Sequence, residues 1–231
     1  MLLTSINTGS SGNCYVLEIN GNQLLLDCGV AYMEIARTLN FKVSKIVACL
    51  LTHEHGDHSK GAKELLRRGI NVYTSKGTSE ALGLKCKTLE CNKEVTIGDF
   101  RIIPFDVPHD AAQPFGYLIQ HPEVGTIAFI TDAMYCKYKF PGLKHVLIEA
   151  NYDIELVKND PEYLRHRIIK SHMSIDTCCD FIKTNLKDLE TVTLLHLSDR
   201  NSDQVKFEKK VREVSGVRVY VAEKNKKINL I

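Results

Sequence analysis

Four side chains that commonly bind metal ions stand close together in the first third of the chain. They are the imidazoles of His53, His55 and His58 and the carboxylate of Asp57, all within six residues. Imidazole nitrogen suits zinc and related metals, and a carboxylate adds a harder oxygen ligand. Gly56 lies between them and gives the backbone freedom to bend sharply. The run therefore predicts a metal site, because four ligands at this spacing can converge on one small volume.

The elements on either side would hold these ligands in place. Residues 45–52 are a largely continuous apolar run, the pattern of a strand buried on both faces. Residues 59–68 have helical spacing and end at Gly69, which fits a helix C-cap. The four ligands thus lie in a predicted strand-to-helix turn.

The rest of the chain alternates predicted strands with predicted helices. Residues 14–19, the turn at residues 20–22 and residues 23–27 form a predicted hairpin. Further strands are predicted at residues 71–74, 101–105, 116–120, 126–131, 145–149, 191–197 and 217–221, and further helices at 161–170, 175–184 and 204–214. Two sheets packed face to face with helices outside satisfy this pattern. We therefore expect an α/β fold and a single domain over residues 1–231.

The central run has the form H-x-H-x-D-H, and the chain resembles the metallo-β-lactamase superfamily, whose signature this is. Four other residues match further motifs of that superfamily, each at or just after a predicted strand: Asp27, His109, Asp132 and His196. The resemblance implies a four-layer αββα metallo-β-lactamase sandwich. His121, His145 and His166 fit no motif and are interpreted as structural or surface residues.

The resemblance also implies a role for each matching residue. The implied ligands of the first metal are His53, His55 and His109, and those of the second are Asp57, His58 and His196. Asp132 would bridge the two ions, and Asp27 would orient the ligand loop as an outer partner of a ligand. The implied cofactors are two divalent ions. Zinc suits five imidazoles and two carboxylates, and manganese also fits a nuclease.

Two such ions would lie about 3.5–4 Å apart, hold a bridging hydroxide and clamp an oxyanion. A bridging aspartate at position 132 resembles the nuclease, phosphodiesterase and thioester-hydrolase branches, since lactam-cleaving members tend to carry another residue there. A leaving alkoxide then needs a proton. His172 is the proposed donor, because Ser171-His172-Met173-Ser174 resembles the Gly-His-x-Ser segment of ribonuclease J-type nucleases. Asp57 and His172 are accordingly the predicted catalytic residues, although Ser174 can equally serve as a helix N-cap.

Four further segments resemble the YycJ (WalJ) group, a bacterial, nuclease-related branch of the fold: residues 8–13, residues 149–153, the basic helix that leads into Ser171-His172, and residues 196–201. This resemblance implies a DNA exonuclease or related phosphodiesterase. The predicted substrate contacts are Ser10, Ser11, Asn13, Asn151 and Arg167. Two alternatives stay open: residues 9–13 can form a tight turn rather than a phosphate-binding loop, and Asn151 can cap the following helix.

The composition and net charge of the chain exclude few classes of binding partner. The net charge of +2 does not by itself imply nucleic acid, but a basic cluster of Arg165, Arg167 and Lys170 leads directly to His172. No stretch approaches the length of a transmembrane helix, and the first residues lack the pattern of a signal peptide. The eight cysteines are interpreted as free thiols, so we expect a cytoplasmic protein. The oligomeric state is not readable from the sequence.

Three hypotheses of function compete. The first is a nucleic-acid phosphodiesterase that acts on DNA rather than RNA. The second is a small-molecule hydrolase, either a cyclic-nucleotide phosphodiesterase or a thioesterase of the glyoxalase II kind, and the latter is disfavoured because no separate helical substrate domain follows the metal-binding motifs. The third is a non-catalytic metal-binding protein, which is disfavoured because all seven proposed ligands are present.

Overall fold

The computed structural model describes residues 1–230, which divide into two compact units. The first unit comprises residues 1–106, residues 111–124 and the C-terminal segment from Glu223. The second comprises residues 107–110 and 125–222. Our expectation of a single domain over residues 1–231 stays a prediction.

The first unit contains a seven-stranded sheet, and its elements are numbered with those of the second unit in chain order. They are β1 (Leu2–Asn7), β2 (Cys14–Ile19), β3 (Asn22–Leu26), α1 (Tyr32–Thr38), β4 (Ile46–Leu50), α2 (Gly56–Ser59), α3 (Ala62–Arg67), β5 (Val72–Ser75), α4 (Lys76–Leu82), β6 (Lys87–Leu89), β7 (Val95–Ile97), β8 (Phe100–Asp106), β9 (Phe115–His121) and β14 (Lys226–Asn229). The sheet order is β14-β1-β2-β3-β4-β5-β6. The strands from β14 to β3 pair antiparallel and those from β3 to β6 pair parallel, while β7, β8 and β9 form antiparallel pairs.

The predicted strand at residues 45–52 is confirmed as β4, which is shorter at both ends. It lies between β3 and β5, and all of its residues except Val47 are buried, as its apolar sequence indicated. One face of this part of the sheet packs on α1 and α3 through Ile35 and Leu65. The strand that leads into the H-x-H-x-D-H run is therefore held firmly in the core.

The helix predicted at residues 59–68 is present as α3, but it begins later than predicted because a break at Gly61 separates it from α2. The amide of Gly61 donates to the carbonyl of Cys28 at 2.7 Å, so it leaves the helical ladder. A Cβ at this position would lie 2.8 Å from the carbonyl oxygen of Val30. The close approach of the two backbones therefore requires glycine here. Gly56, by contrast, makes no sharp bend but begins α2.

The second unit contains four parallel strands and four helices. They are β10 (Gly125–Ile130), β11 (Leu143–Glu149), α5 (Ile154–Val157), α6 (Glu162–Ser171), α7 (Ile175–Thr184), β12 (Thr191–Leu195), α8 (Gln204–Ser215) and β13 (Arg218–Val221). The strands pair in the order β10-β11-β12-β13. Because parallel strands buried on both faces read as apolar runs, β11 and β12 were predicted close to their observed positions.

The helix ends of the second unit follow from local capping. The Ser174 hydroxyl accepts a hydrogen bond from the amide of Thr177 at 3.1 Å, so α7 begins where the sequence predicted. Helix α8 begins after an Asp203 cap and ends at Gly216, whose φ of 67° favours glycine. No helix among residues 1–230 is long and apolar enough to cross a membrane.

Candidate functional site

In the first unit, the H-x-H-x-D-H run passes from an extended segment after β4 into the short helix α2. His53 is buried, and its Nε2 lies 3.1 Å from Nδ1 of His55, the residue that caps α2. Asp57 and His58 lie within α2, with a carboxylate oxygen of Asp57 3.6 Å from Nε2 of His58. The rings of His53 and His58 are 4.1 Å apart between centroids. The four predicted ligands of this unit are thus close together.

Asp27 holds this group in place through hydrogen bonds. It follows β3 directly, is fully buried and has a φ of 57°. Its carboxylate accepts from the amide of Thr52 at 2.8 Å and from Nδ1 of His58 at 2.8 Å. Burial raises the pKa of Asp27, and the contact with His58 acts against that rise. The Asp27 carboxylate therefore links Thr52, just before the H-x-H-x-D-H run, to the imidazole of His58 at the end of that run.

Asn13 holds the other side of the His58 ring. Its Oδ1 accepts from the amide of Gly9 at 3.0 Å and from the hydroxyl of Tyr15 at 3.1 Å, which turns Nδ2 toward Nε2 of His58 at 3.0 Å. An amide nitrogen can only donate, so Nε2 carries the lone pair and Nδ1 carries the hydrogen that bonds to Asp27. This is the tautomer in which Nε2 can bind a metal.

Asn13 is fully buried, and its amide is used within the protein. Its predicted contact with substrate does not fit this burial, and we interpret it instead as a residue that positions His58. Ser10 and Ser11 of the same loop are exposed, with the Ser11 hydroxyl 3.1 Å from Nδ2 of Asn7. Their contact with substrate stays a prediction.

Gly29 lies where the Asn13 loop meets the ligand run. The amide of Asn13 donates to the carbonyl of Asp57 at 2.6 Å, and the amide of Gly29 donates to the carbonyl of Asn13 at 2.8 Å. A Cβ on Gly29 would lie 1.7 Å from that Asp57 oxygen. We expect Gly29→Ala to lower the free energy of unfolding by about 1–3 kcal/mol, because only backbone could move away. Denaturant titration of the purified variant measures this loss.

Gly56→Ala is the matched control in the same motif. A Cβ on Gly56 meets nothing within 4 Å, and the residue has no left-handed φ. Its replacement should change the free energy of unfolding by less than about 1 kcal/mol, in the stabilising direction. Equal destabilisation by the two variants would contradict the packing assigned to Gly29.

The second unit contains a cluster of carboxylate and imidazole side chains, of which all but His172 are buried. Asp132, Glu149, His172 and His196 each offer a ligand atom, and these atoms all lie within 4.8 Å of one another. Nδ1 of His196 is 2.5 Å from one oxygen of Asp132 and 3.2 Å from an oxygen of Glu149. Burial acts to lower the pKa of His196, but the two carboxylates outweigh it and raise the pKa to about 10. Carboxylates and imidazoles in this arrangement could hold a metal ion.

His109 approaches the same group from the segment before Ala111. Its Nδ1 donates to the backbone carbonyl of Ser171 at 2.8 Å, so Nε2 carries the lone pair and lies 3.8 Å from a carboxylate oxygen of Asp132. Burial lowers the pKa of His109, with partial opposition from Asp132. The neutral ring is thus turned with its ligand nitrogen toward the carboxylate.

Glu149 is the residue that sequence reasoning did not assign. It ends β11, is fully buried and accepts from Nδ1 of His172 at 2.7 Å and from the amide of Ala133 at 3.0 Å. Burial acts to raise the pKa of Glu149, but the contacts with His172 and His196 outweigh it and the pKa is lowered. The signal in the sequence was a carboxylate directly after the apolar residues 146–148 of this strand.

His172 lies at the end of α6 with its Nδ1 fixed by Glu149. Burial acts to lower its pKa, but the Glu149 carboxylate outweighs this effect and the net shift is upward. Its side chain keeps 20% of its surface exposed, whereas Glu149 keeps none. Nε2 of His172 is therefore the ring nitrogen that could contact a substrate.

The two other predicted substrate contacts of this unit differ in exposure. Asn151 is buried, and its Nδ2 donates to the carbonyl of His196 at 3.0 Å, so its predicted contact with substrate does not fit and it holds the His196 loop instead. Arg167 is exposed on α6, together with Lys170. The contact of Arg167 with substrate stays a prediction.

Comparison with known proteins identifies the family. Residues 22–196 match the family described as Beta-lactamase superfamily domain. The chain is 30% identical over 218 residues to exodeoxyribonuclease WalJ of Streptococcus pneumoniae, covering 84% of this chain and 81% of that protein. It is 27% identical over 180 residues to exodeoxyribonuclease YycJ of Bacillus anthracis, covering 70% and 68%. The solved metallo-β-lactamase fold protein YhfI of Bacillus subtilis has a TM-score of 0.78 at 17% identity, covering 99% of both chains.

The chain therefore belongs to the β-lactamase superfamily, and the α/β fold class predicted from its motifs is confirmed. It is a metal-dependent hydrolase. The predicted resemblance to the WalJ and YycJ group is confirmed as well.

Proposed function

We propose that this protein is a dinuclear metal-dependent exodeoxyribonuclease that hydrolyses phosphodiester bonds. The observation that carries the proposal is the cluster of the second unit, in which two proposed ligands, Asp132 and His196, lie with Glu149 and His172 so that one ligand atom of each is within 4.8 Å of the others. The similarity to proteins named exodeoxyribonucleases supplies the substrate class. DNA is preferred to RNA on that basis.

The proposed ligands are the seven given by the sequence: His53, His55, Asp57, His58, His109, Asp132 and His196. The donor chemistry fits, because Nδ1 of His58 donates to Asp27 and Nδ1 of His109 donates to the Ser171 carbonyl, which puts the lone pair of each ring on Nε2. A metal ion at His58 would take the place of the Asn13 contact on that nitrogen. Five imidazoles and two carboxylates favour zinc, with manganese as the alternative. When bound, the ions would lower the pKa of a water molecule so that a nucleophile exists at neutral pH.

Residues of the chain would perform the other steps of the proposed mechanism. Asp27 orients His58 through its Nδ1. His172, held by Glu149, carries a proton on Nε2 and delivers it to the leaving oxygen of the scissile phosphodiester. The exposed Arg167 and Lys170 on α6 would attract the phosphates that flank the scissile bond. We also propose a cytoplasmic location, as expected from the sequence.

End-labelled linear double-stranded DNA, supplied with manganese or zinc, tests this function directly. The intact protein should release mononucleotides or a ladder, and the label position would give the polarity. His55→Ala, which lacks a proposed ligand, is the blank. If the protein cleaved a simple aryl phosphodiester but left DNA intact, the substrate would be a small molecule such as a cyclic nucleotide, and the DNA proposal would be wrong.

A further inference from the structure

The segment that follows Asp132 combines exposed aromatic rings with basic side chains. Residues 135–140, here named the aromatic segment, read Tyr-Cys-Lys-Tyr-Lys-Phe. Tyr135 keeps 47% of its surface exposed although it is a large aromatic residue. Lys137 and Lys139 are exposed between the rings. Alternating aromatic and basic side chains are the composition that binds single-stranded nucleic acid, through base stacking and phosphate contacts.

The aromatic segment is anchored at both ends. The amide of Met134 donates to the carbonyl of Pro108 at 2.9 Å, next to His109. The amide of Phe140 donates to Oδ1 of Asn185 at 2.7 Å. The ring of Phe140 stacks on Tyr138 with centroids 5.9 Å apart and meets Phe181 edge-on at 6.3 Å. The segment is therefore a defined surface rather than a loose loop.

A shallow groove runs between the aromatic segment and one face of α7. Tyr135 and Tyr138 line one wall, and Thr177, Asp180, Phe181 and Thr184 line the other. The carboxylate of Asp180 lies 3.2 Å from the ammonium of Lys183, which offsets its charge. One wall thus presents aromatic rings, and the lysines of the same segment supply positive charge.

Both walls begin beside residues of the second unit's carboxylate and imidazole cluster. Tyr135 comes three residues after Asp132, so the two Cα atoms are at most about 11 Å apart. Helix α7 begins three residues after His172, whose Nδ1 lies 4.0 Å from Asp132. Successive nucleotides of a DNA strand rise about 3.4 Å, so Tyr135 is within roughly three nucleotides of Asp132.

We propose that this groove binds the single-stranded end of the DNA substrate, with a nucleobase stacked on Tyr135 and phosphates contacted by Lys137 and Lys139. The inference rests on the proposed function, since it names how the same site holds its substrate. Stacking on a tyrosine accepts any base, so the groove would engage DNA without sequence preference. It would also separate the terminal nucleotides from a duplex before hydrolysis.

The test compares two short oligonucleotides with equal numbers of phosphates, an oligothymidylate and its abasic analogue, both phosphorothioate-linked to resist cleavage. Fluorescence anisotropy should find that the intact protein binds the oligothymidylate about tenfold more tightly. Tyr135→Ala should remove that difference, and Tyr135→Phe should restore it because the ring is kept. Phe41→Ala, which alters another exposed aromatic residue, in the first unit, is the matched control and should retain it.

The lysines are tested by salt dependence. Lys137→Ala and Lys139→Ala should each reduce the slope of log affinity against log salt by about 0.7, and Lys209→Ala on α8 should not. If a protein that cleaves DNA bound the two oligonucleotides equally, the proposed role of the groove would be wrong, but the proposed function would still hold. A base preference that survives in Tyr135→Ala would also overturn it. A protein that binds neither oligonucleotide and cleaves no DNA would contradict both proposals.

Discussion

Replacing His55 by alanine is expected to abolish hydrolysis and to lower the metal content of the purified protein. The His55 imidazole lies 3.1 Å from that of His53, and only these two proposed first-metal ligands come from the ligand run. Loss of one leaves an incomplete coordination set, and a metal ion contributes several kcal/mol to transition-state stabilisation. The rate should therefore fall by about 10³-fold or more. Elemental analysis and phosphodiester hydrolysis, measured on the same preparation, check both parts.

His166→Ala is the matched control for this experiment. His166 is an exposed imidazole on α6 that matches no motif, so its removal should leave the metal content and the hydrolysis of an aryl phosphodiester unchanged. If His55→Ala kept activity near that of the intact protein, the ligand assignment of the whole run would be wrong. If it kept its metal but lost activity, His55 would act on the substrate instead.

Local sequence patterns predicted the elements whose burial is decided by their own residues. Strand β4 and helix α7 are examples: one is an apolar run and the other opens with a Ser174 cap. The break between α2 and α3 was missed because its cause is remote, the Cys28 carbonyl that accepts from Gly61. Strand β1 was missed as well, since its buried residues include serine, threonine and asparagine, which do not read as an apolar pattern.

The part of the candidate site that could be predicted consists of the side chains whose residue type alone indicates metal binding. Histidine and aspartate in a motif can be read directly, and the structure adds that Asp27, Asp132 and His196 all have positive φ, at 57°, 46° and 51°. Such backbone costs about 1–3 kcal/mol per residue and persists where surrounding structure imposes it, which is typical of functional sites. Aspartate and histidine adopt this conformation more often than most residues other than glycine, but residue type alone does not say which of them will do so.

The supporting residues could not be assigned from the sequence because their roles depend on partners far along the chain. Asn13 contacts His58 across 45 positions, and Glu149 contacts His172 across 23. Asn13 and Asn151 were predicted to touch substrate because they lie in segments that resemble the YycJ (WalJ) group, yet both are buried. Exposure, which separates a substrate contact from a positioning residue, is set by tertiary packing.

Replacing His172 by alanine is expected to slow DNA hydrolysis by about 10²–10⁴-fold while the metal content stays that of the intact protein. The reason is its position: Nδ1 is bound to Glu149 at 2.7 Å, the pKa is shifted upward, and Nε2 is left to protonate a leaving alkoxide. Glu149→Gln should act in the same direction, since it removes the charge that holds the ring. Its NH2 group would then face either the His172 imidazole or the backbone amides of Ala133 and Met173, so its stability must be measured beside its rate.

The leaving group separates proton donation by His172 from a structural role. A nitrophenolate leaves without a proton, whereas the alkoxide of a nucleotide requires one. His172→Ala should therefore hydrolyse a bis-nitrophenyl phosphodiester at nearly the rate of the intact protein and fail selectively on DNA. Equal losses on both substrates, accompanied by loss of metal, would make His172 a ligand or a structural residue, because its Nδ1 lies only 4.0 Å from Asp132. Equal losses with metal retained would assign it to binding the phosphate rather than to protonating the leaving oxygen.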